Sequence, residues 1–271
     1  MSKNFDAAKR GFVYDPVTLT MDMCVNGKIV VKYAGDDLSV VYTNDTAQKY
    51  DVGTLLQSWN KKFRYCYAHT AHTRYVGAAN TDQWSVTNAA TNASAVVGAK
   101  SFSVANTDAT KNSLVGGSVT MFTSPLQHYT IIANDASDGT NTTLYIDGAL
   151  TAALTAASTW CTAYKNLYGY TQAPGSISSY VDYITFVSVP VCTVAATSWF
   201  WGQTAGPCYG VAGSTVPGSA AQQREVYFST AGNVLDYGDG NAGAGMQYAG
   251  YLLPRTANGS GDQLYMLQLE S

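Results

Sequence analysis

An all-β protein is expected from three observations. Val, Thr, Tyr, Phe and Ile recur in runs of about five to eight residues bounded by Gly, Asn, Asp and Ser, the signature of strands and turns. Helix signals are scarce: Glu225 and Glu270 are the only glutamates, and apolar residues rarely keep a 3.6-residue spacing for more than two turns. Charged residues make up 12%, about half the ~25% of an average soluble protein, which leaves a surface of Ser, Thr, Asn, Gln, Ala and Gly. Secreted β-proteins, viral coats and fibres have that composition. The expected architecture is a set of small β-barrel or β-sandwich domains with an extended N-terminal arm.

In order, residues 1–24 show no clear period and are read as the arm, followed by short strands over Lys28–Ala34 and Leu38–Thr43. Thr54–Trp59, the turn Asn60-Lys61 and Lys62–Ala68 form a hairpin with Phe63, Tyr65 and Tyr67 on one face. Residues 69–84 look irregular. Strands are then expected at Trp84–Ala89, Ala99–Ala105, Ser118–Thr123, Tyr129–Ala133 and Thr143–Ile146, the last closed by the turn pair Asp147-Gly148. Residues 149–162 are Ala/Thr-rich and read as a long edge loop. Residues 180–195 read as near-continuous strand interrupted at Pro190. Trp199–Thr204 follows, with Trp199 and Trp201 on one side and Phe200 and Gly202 on the other; Gly206-Pro207 is expected to break it before Cys208–Val211. Glu225–Ser229, Val234–Tyr237, Gln247–Leu253 and Gln263–Leu269 complete the series. Three domains are expected: 1–84 (arm and hairpin), 85–186 (a β-domain) and 187–271 (a barrel-like C-terminal domain).

The net charge of -3 argues against a dedicated nucleic-acid binder, which needs clustered Lys and Arg. Residues 1–111 hold 12 of the 15 basic residues and 9 of the 18 acidic ones, so the basic charge is gathered at the front of the chain. The five cysteines (Cys24, Cys66, Cys161, Cys192, Cys208) form no C-x-x-C pair and are read as reduced and buried. The N-terminus lacks the apolar stretch of a signal peptide, and no run approaches ~20 apolar residues, so cytoplasmic synthesis and no membrane span are expected.

Catalytic signatures are absent from the sequence: there is no G-x-S-x-G elbow, P-loop or G-x-G-x-x-G opening a helix. His69, His72 and His128 have no Cys or carboxylate at ligand spacing, so no metal or cofactor is expected. Asp135, Asp138 and Asn141, like Asp236 and Asp239, sit in Asn/Gly-rich stretches that read as plain turns rather than calcium loops. The twenty tyrosines and five tryptophans read first as strand-face core or subunit interface, and alternatively as a platform for sugar rings.

Several short motifs resemble, in the same order, a family of virion structural proteins of tailed bacteriophages. They are Phe63-Arg64-Tyr65-Cys66-Tyr67-Ala68, the strand and turn Leu144–Gly148, the tyrosines Tyr164, Tyr168 and Tyr170, and Trp199-Phe200-Trp201-Gly202-Gln203-Thr204-Ala205-Gly206-Pro207-Cys208. Thr230–Val234, Gln247–Tyr251 and Tyr265–Leu269 follow, so the resemblance covers about residues 50–271. It implies a capsid cement or decoration protein without enzymatic activity, located on the capsid exterior and partnered by the major capsid protein and by itself, as a trimer or dimer. The basic residues Lys3, Lys9, Arg10, Lys28 and Lys32 are then expected to dock on the shell, and Trp199, Phe200, Trp201 and Tyr209 to form the oligomer core. A glycan-binding head fibre or adhesion module is the alternative expectation.

Overall fold

The computed structural model describes residues 11–15, 20–25, 28–33, 38–80, 84–91, 93–106, 109–174, 184–213, 217–218, 224–236, 247–254 and 263–270, with the backbone alone for 11–33 and 84–90. The fold is all-β: strands make up 49%, and the described residues contain no α-helix. The chain forms two compact units, one from Met1–Thr81 with Tyr168–Ser271 and one from Asp82–Leu167. Unit 1 begins with β1 (Gly11–Asp15), β2 (Thr20–Val25), β3 (Lys28–Tyr33), a 3-10 turn (Ser39–Tyr42), β4 (Asn44–Asp45), β5 (Leu55–Ser58), β6 (Lys61–Ala68) and β7 (Ala78–Asn80). Unit 2 carries β8 (Trp84–Ala90), β9 (Ser101–Ala105), β10 (Ser118–Met121), β11 (Gln127–Asn134), β12 (Asn141–Ile146) and β13 (Trp160–Tyr164). The chain returns to unit 1 with β14 (Thr171–Gln172), β15 (Thr185–Pro190), β16 (Ser198–Gly210), β17 (Glu225–Phe228), β18 (Val234–Leu235), β19 (Gln247–Leu252) and β20 (Gln263–Gln268).

This division differs from the three expected domains. The first and last segments share one sheet, because β16 lies antiparallel to β6 with Trp201 opposite Tyr65 and Phe200 opposite Cys66. Neither strand can cover its own apolar faces, and each supplies the other's missing neighbour. The expected arm is also partly built into this sheet: β1, β2 and β3 form an antiparallel meander whose last strand runs parallel to β5.

In unit 1 the pairings close on themselves. β6 pairs β14, β14 pairs β7, β7 pairs β15, β15 pairs β16, and β16 returns to β6. Alternation then sorts the side chains. Cys66 and Ala68 of β6 pack with Ala78, Val187 and Phe200 from the other strands of the ring. Phe63 and Tyr65 point the opposite way and pack with Trp201, Val41, Leu56 and Val191. The expected face assignment of Trp201 against Phe200 is the one observed.

β16 runs 13 residues without a break, so Gly206-Pro207 does not end it. It marks a change of partner: β16 pairs β6 as far as Ala205 and β20 from Ala205 to Gly210. Gly206 takes a left-handed φ of +92°, where a Cβ would stand 2.0 Å from the Asn60 carbonyl oxygen. The buried Gln203 amide spans this kink, donating from Nε2 to the carbonyls of Ala205 (3.1 Å) and Pro207 (2.9 Å). The Gln-Thr-x-Gly-Pro motif is thus a stapled bulge.

Two smaller expectations are corrected. Leu38–Thr43 forms a 3-10 turn instead of a strand, held by Val41 N–H to the Leu38 carbonyl with the Val41 side chain buried. The β5–β6 hairpin turns at Trp59-Asn60, one residue earlier than expected, since Ser58 pairs with Lys61 and Trp59 takes the left-handed φ.

Unit 2 is a six-stranded antiparallel sheet in the order β8-β13-β10-β11-β12-β9. A bridge from Thr91 to Val104 brings its two edges together. Phe102, Leu114, Val119, Met121, Ile131 and Leu144 are among the side chains filling its core. Residues 149–162 are no loose edge loop: Leu150 and Leu154 are inserted in that core, and β13 begins at Trp160. Gln127, itself buried, holds this stretch by accepting from the N–H groups of Thr151 (2.7 Å) and Ala152 (3.2 Å).

Candidate functional site

Three features of unit 1 combine chemistry with position. The first is a carboxylate cradle. The backbone N–H groups of Leu269 and Glu270 both donate to the Thr204 carbonyl, which carries the end of the chain back alongside β16. The Glu270 carboxylate there accepts from Arg64 Nε (2.9 and 3.2 Å to its two oxygens), from the Thr204 hydroxyl (3.0 Å) and from the Tyr168 hydroxyl. Arg64 Nη1 also donates to the Gly53 carbonyl at 2.9 Å, and its guanidinium lies 5.7 Å from the Tyr168 ring centre. Burial, first of all, and the Glu270 carboxylate raise the Tyr168 hydroxyl above its ordinary value, so it is a fixed donor. This arrangement fastens β6, the approach to β14, β16 and the chain end to one carboxylate. Because Arg64 and Glu270 keep 27% and 21% of their side-chain surface exposed, their ion pair is worth less than a fully buried one. Arg64→Met is expected to cost ~2 kcal/mol in urea unfolding, with Glu270→Gln non-additive to it. Additive effects would show that the two side chains do not act together.

The second feature is a cleft of about 410 Å³ with His72 among its lining residues. His72 is buried; its backbone pairs with Val194 and its ring packs on Phe200 at 5.3 Å. The Thr171 hydroxyl donates its proton to the Tyr67 carbonyl (2.8 Å), so it accepts from His72 Nε2 (2.9 Å). The imidazole is therefore the Nε2–H tautomer, with Nδ1 left as an acceptor. Burial lowers its pKa from the ordinary 6.5 to about 4, against a smaller opposing effect of a hydrogen bond to the Thr171 backbone. The neighbours named here, Phe200, Thr171 and Val194, carry no charge.

This makes a pH-dependent contribution to stability. The unfolded chain takes up a proton at His72 as pH falls through 6.5, whereas the folded chain resists until about 4. Stability from this group is present above pH 6.5 and lost as pH falls from there to 4, to a total of ~3 kcal/mol. His72→Gln is expected to flatten that part of the stability profile relative to the parent. Parallel profiles between pH 6.5 and 4 would refute the assignment.

The third feature is the outer face of the sheet made by β16, β20, β19 and β17. Tyr209 is paired with Leu264, Met266 with Tyr251, and Tyr227 with Tyr248. Tyr209, Tyr248, Tyr251 and Leu264 are 40%, 39%, 40% and 52% exposed, so this face looks outward. Its reverse side buries Cys208, Val226, Phe228, Ala249, Leu252 and Tyr265. Gly250 allows both Tyr248 and Tyr251 to face out: at φ +146° it adds an extra residue opposite β17, so Ala249 and Gly250 are buried in succession.

The sequence-derived candidates are dispersed over these features. Phe200 and Trp201 are 0% and 2% exposed within the chain's own core, so neither offers surface to a partner; Trp199 is half-buried on Tyr67, and Tyr209 lies on the outer face against Tyr75. Lys3, Lys9 and Arg10 lie outside the described residues, as do the side chains of Lys28 and Lys32, whose backbones belong to β3. His69 stacks on Tyr170, and His128 of unit 2 bonds Thr120 through Nδ1. Asp138 caps its own turn, accepting from the N–H groups of Thr140 and Asn141, which lowers its pKa. Asp236 is buried, and Asp239 lies outside the described residues. Of the cysteines, Cys66, Cys161 and Cys208 are buried with their thiols pushed up to about 12 by burial, and Cys192 is half-buried. No local signal marks the cradle or the cleft, since Arg64 and Glu270 lie 206 residues apart and the described lining of the cleft comes from four separate segments. Comparison with protein-family models, curated proteins and solved structures finds no match for this chain.

Proposed function

We propose that this chain is a non-catalytic structural protein of a tailed-phage virion, a decoration protein that binds the outside of the major capsid protein lattice and stabilises the head. The observation that carries the reading is the exposed tyrosine-rich face of β16, β20, β19 and β17, taken with the motifs of the same strands that resemble such proteins. Aromatic side chains are the enriched residues of protein–protein contacts. Four side chains at 39–52% exposure offer roughly 350 Å² of ring and aliphatic surface, taking ~200 Å² for a whole side chain, against the ~800 Å² per partner of a stable interface. One such face supports a weak contact. Several faces on one lattice support a firm one, through effective concentration, and binding only the assembled shell stabilises that shell by linkage.

The test is co-sedimentation of the full chain with expanded, undecorated heads of the encoding phage. Saturable binding at a fixed ratio to capsomers is expected, weakened at least tenfold by the pair Tyr251→Ser and Leu264→Ser. Neutralising Lys3, Lys9, Arg10, Lys28 and Lys32 is expected to flatten its salt dependence. A chain that stays in the supernatant at low salt would end the decoration reading.

A further inference from the structure

We infer that the tip of unit 2 is a self-association surface, on which a second copy of this chain docks as a two-fold dimer. This goes beyond the decoration reading and does not depend on it. The chain enters and leaves unit 2 at the end of the sheet where Trp84 of β8 pairs with Tyr164 of β13. At the opposite end Trp160 of β13, Phe122 just after β10 and Leu126 just before β11 stand side by side. Phe122 N–H donates to the Trp160 carbonyl (2.9 Å), and the pairing of Met121 with Gln127 puts Leu126 across from Phe122. Cys161, Met121 and Gln127 are buried, so alternation turns Trp160, Phe122 and Leu126 outward, 51%, 50% and 61% exposed. The loop after β8 adds Val96 and Val97, 75% and 61% exposed. It is tied to the same end: Ala95 and Leu154 exchange backbone hydrogen bonds, and the Gln127 amide donates to the Ala152 carbonyl (3.2 Å).

Area and charge together select the occupant. These five side chains offer roughly 500 Å² of apolar surface, taking ~150–200 Å² for a whole side chain. The largest apolar patch of a typical monomer is ~300–600 Å² and often functional, and two such tips facing each other bury the ~1,000 Å² of a specific interface. Residues 84–99, 112–134 and 148–164, which supply this end, contain no Asp, Glu, Lys or Arg. A two-fold contact sets each charge against its own copy, so it requires a patch free of like charges. A charged partner would find no ion pair here. The row is also self-complementary: a two-fold axis at Phe122 lays Trp160 of each copy over Leu126 of the other and brings the two Phe122 rings together. The surface is fixed before association. The Gln127 amide donates to the Thr123 hydroxyl (3.0 Å) and accepts from Thr151 N–H (2.7 Å), and Gly98 N–H donates to the Leu150 carbonyl (2.8 Å), so little ordering cost opposes docking.

The experiment is analytical ultracentrifugation of the full chain from about 1 to 200 μM, at about 0.15 and 1 M NaCl. A reversible monomer–dimer equilibrium is expected with Kd on the order of 10 μM, the range of a small interface. High salt should not weaken it, since the contact is apolar and uncharged. Phe122→Ser with Leu126→Ser is expected to raise Kd at least tenfold, and Leu126→Asp, which sets a carboxylate of each copy into the shared contact, to leave the chain monomeric. Both variants change side chains that already face out, so their urea midpoints should stay close to the parent's. A parent chain that is monomeric at 200 μM would overturn the inference, whatever else covers the tip. So would a dimer that survives both variants, or one that is lost through Tyr251→Ser with Leu264→Ser instead. Head binding by a monomeric parent chain would show this inference failing with the decoration reading intact, and a dimer that ignores heads the reverse.

Discussion

Gly206→Ala is expected to destabilise unit 1 by ~4 kcal/mol, combining left-handed strain of ~1–3 kcal/mol with overpacking of ~1–3 kcal/mol. The added methyl would meet the Asn60 carbonyl oxygen at 2.0 Å, the Asn60 carbonyl carbon at 2.9 Å and the Lys61 Cα at 3.0 Å, all backbone atoms of the β5–β6 hairpin. No side-chain rotation relieves such a clash, so β16 would have to leave either β6 or β20. Both pairings depend on Gly206 standing where it does, because β16 changes partner at Ala205. Gln203→Ala, which removes the two amide bonds spanning the kink but adds no atom, should cost less, ~2 kcal/mol. Urea denaturation followed by tryptophan fluorescence reads both. A Gly206→Ala chain as stable as the parent would mean that the kink is not held by backbone contact.

The difference between what was and was not legible in the sequence follows the range of the interaction. Nearly every strand of unit 2 and of the C-terminal segment lies within a few residues of its expected place: Trp84–Ala90, Ser101–Ala105, Glu225–Phe228 and Gln263–Gln268 are marked locally by alternation and by the turns that bound them. The two faces of Trp199–Gly202 are a local property as well. Gly202 is confined by Ser188 of β15, whose hydroxyl would be 2.3 Å from a Cβ there, so the small residue opposite the tryptophans has a packing reason. What was misread depends on distant partners. Gly206-Pro207 looks like a stop in sequence and is a bulge only because β20 continues the ladder. Leu38–Thr43 has strand-forming residues, yet it closes a local turn that buries Val41 against Leu56 and Phe63.

The candidate sites show the same limit. The tyrosine-rich outer face was implicit in the alternation of β16, β19 and β20, although the sequence could not tell which tyrosines would look outward. Tyr265 is fully buried and Tyr251 is not, and the pairing of Leu252 with Tyr265 settles the inner side. Arg64 and Glu270 gave no sign of each other, and His72 appeared as one of three isolated histidines. The ring of β6, β14, β7, β15 and β16 brings Thr171 to His72 and Thr204 to Glu270.

Trp201→Ala and Trp199→Ala, two residues apart on one face of β16, are expected to differ several-fold in cost. Trp201 is 2% exposed and packs against Tyr65 at 5.0 Å and Tyr50 at 5.2 Å, while Tyr50 meets Tyr65 edge-on at 5.2 Å, closing a three-ring cluster. Truncating it opens a cavity among Val41, Leu56, Phe63 and Val191 and should cost ~4 kcal/mol. Trp199 is half-buried and meets Tyr67 at 5.1 Å, so its loss should remove one ring pair and part of a contact area, ~1 kcal/mol. The contrast also separates fold from association. An association defect in Trp201→Ala would follow from a damaged protomer, whereas Trp199→Ala, Tyr251→Ser or Leu264→Ser would report on the surface itself. Urea midpoints with sedimentation velocity on the same samples measure both quantities. Equal costs for the two tryptophans would contradict the burial of Trp201 in the Tyr50–Tyr65 cluster and, with it, the assignment of Trp201 to the protomer's own core.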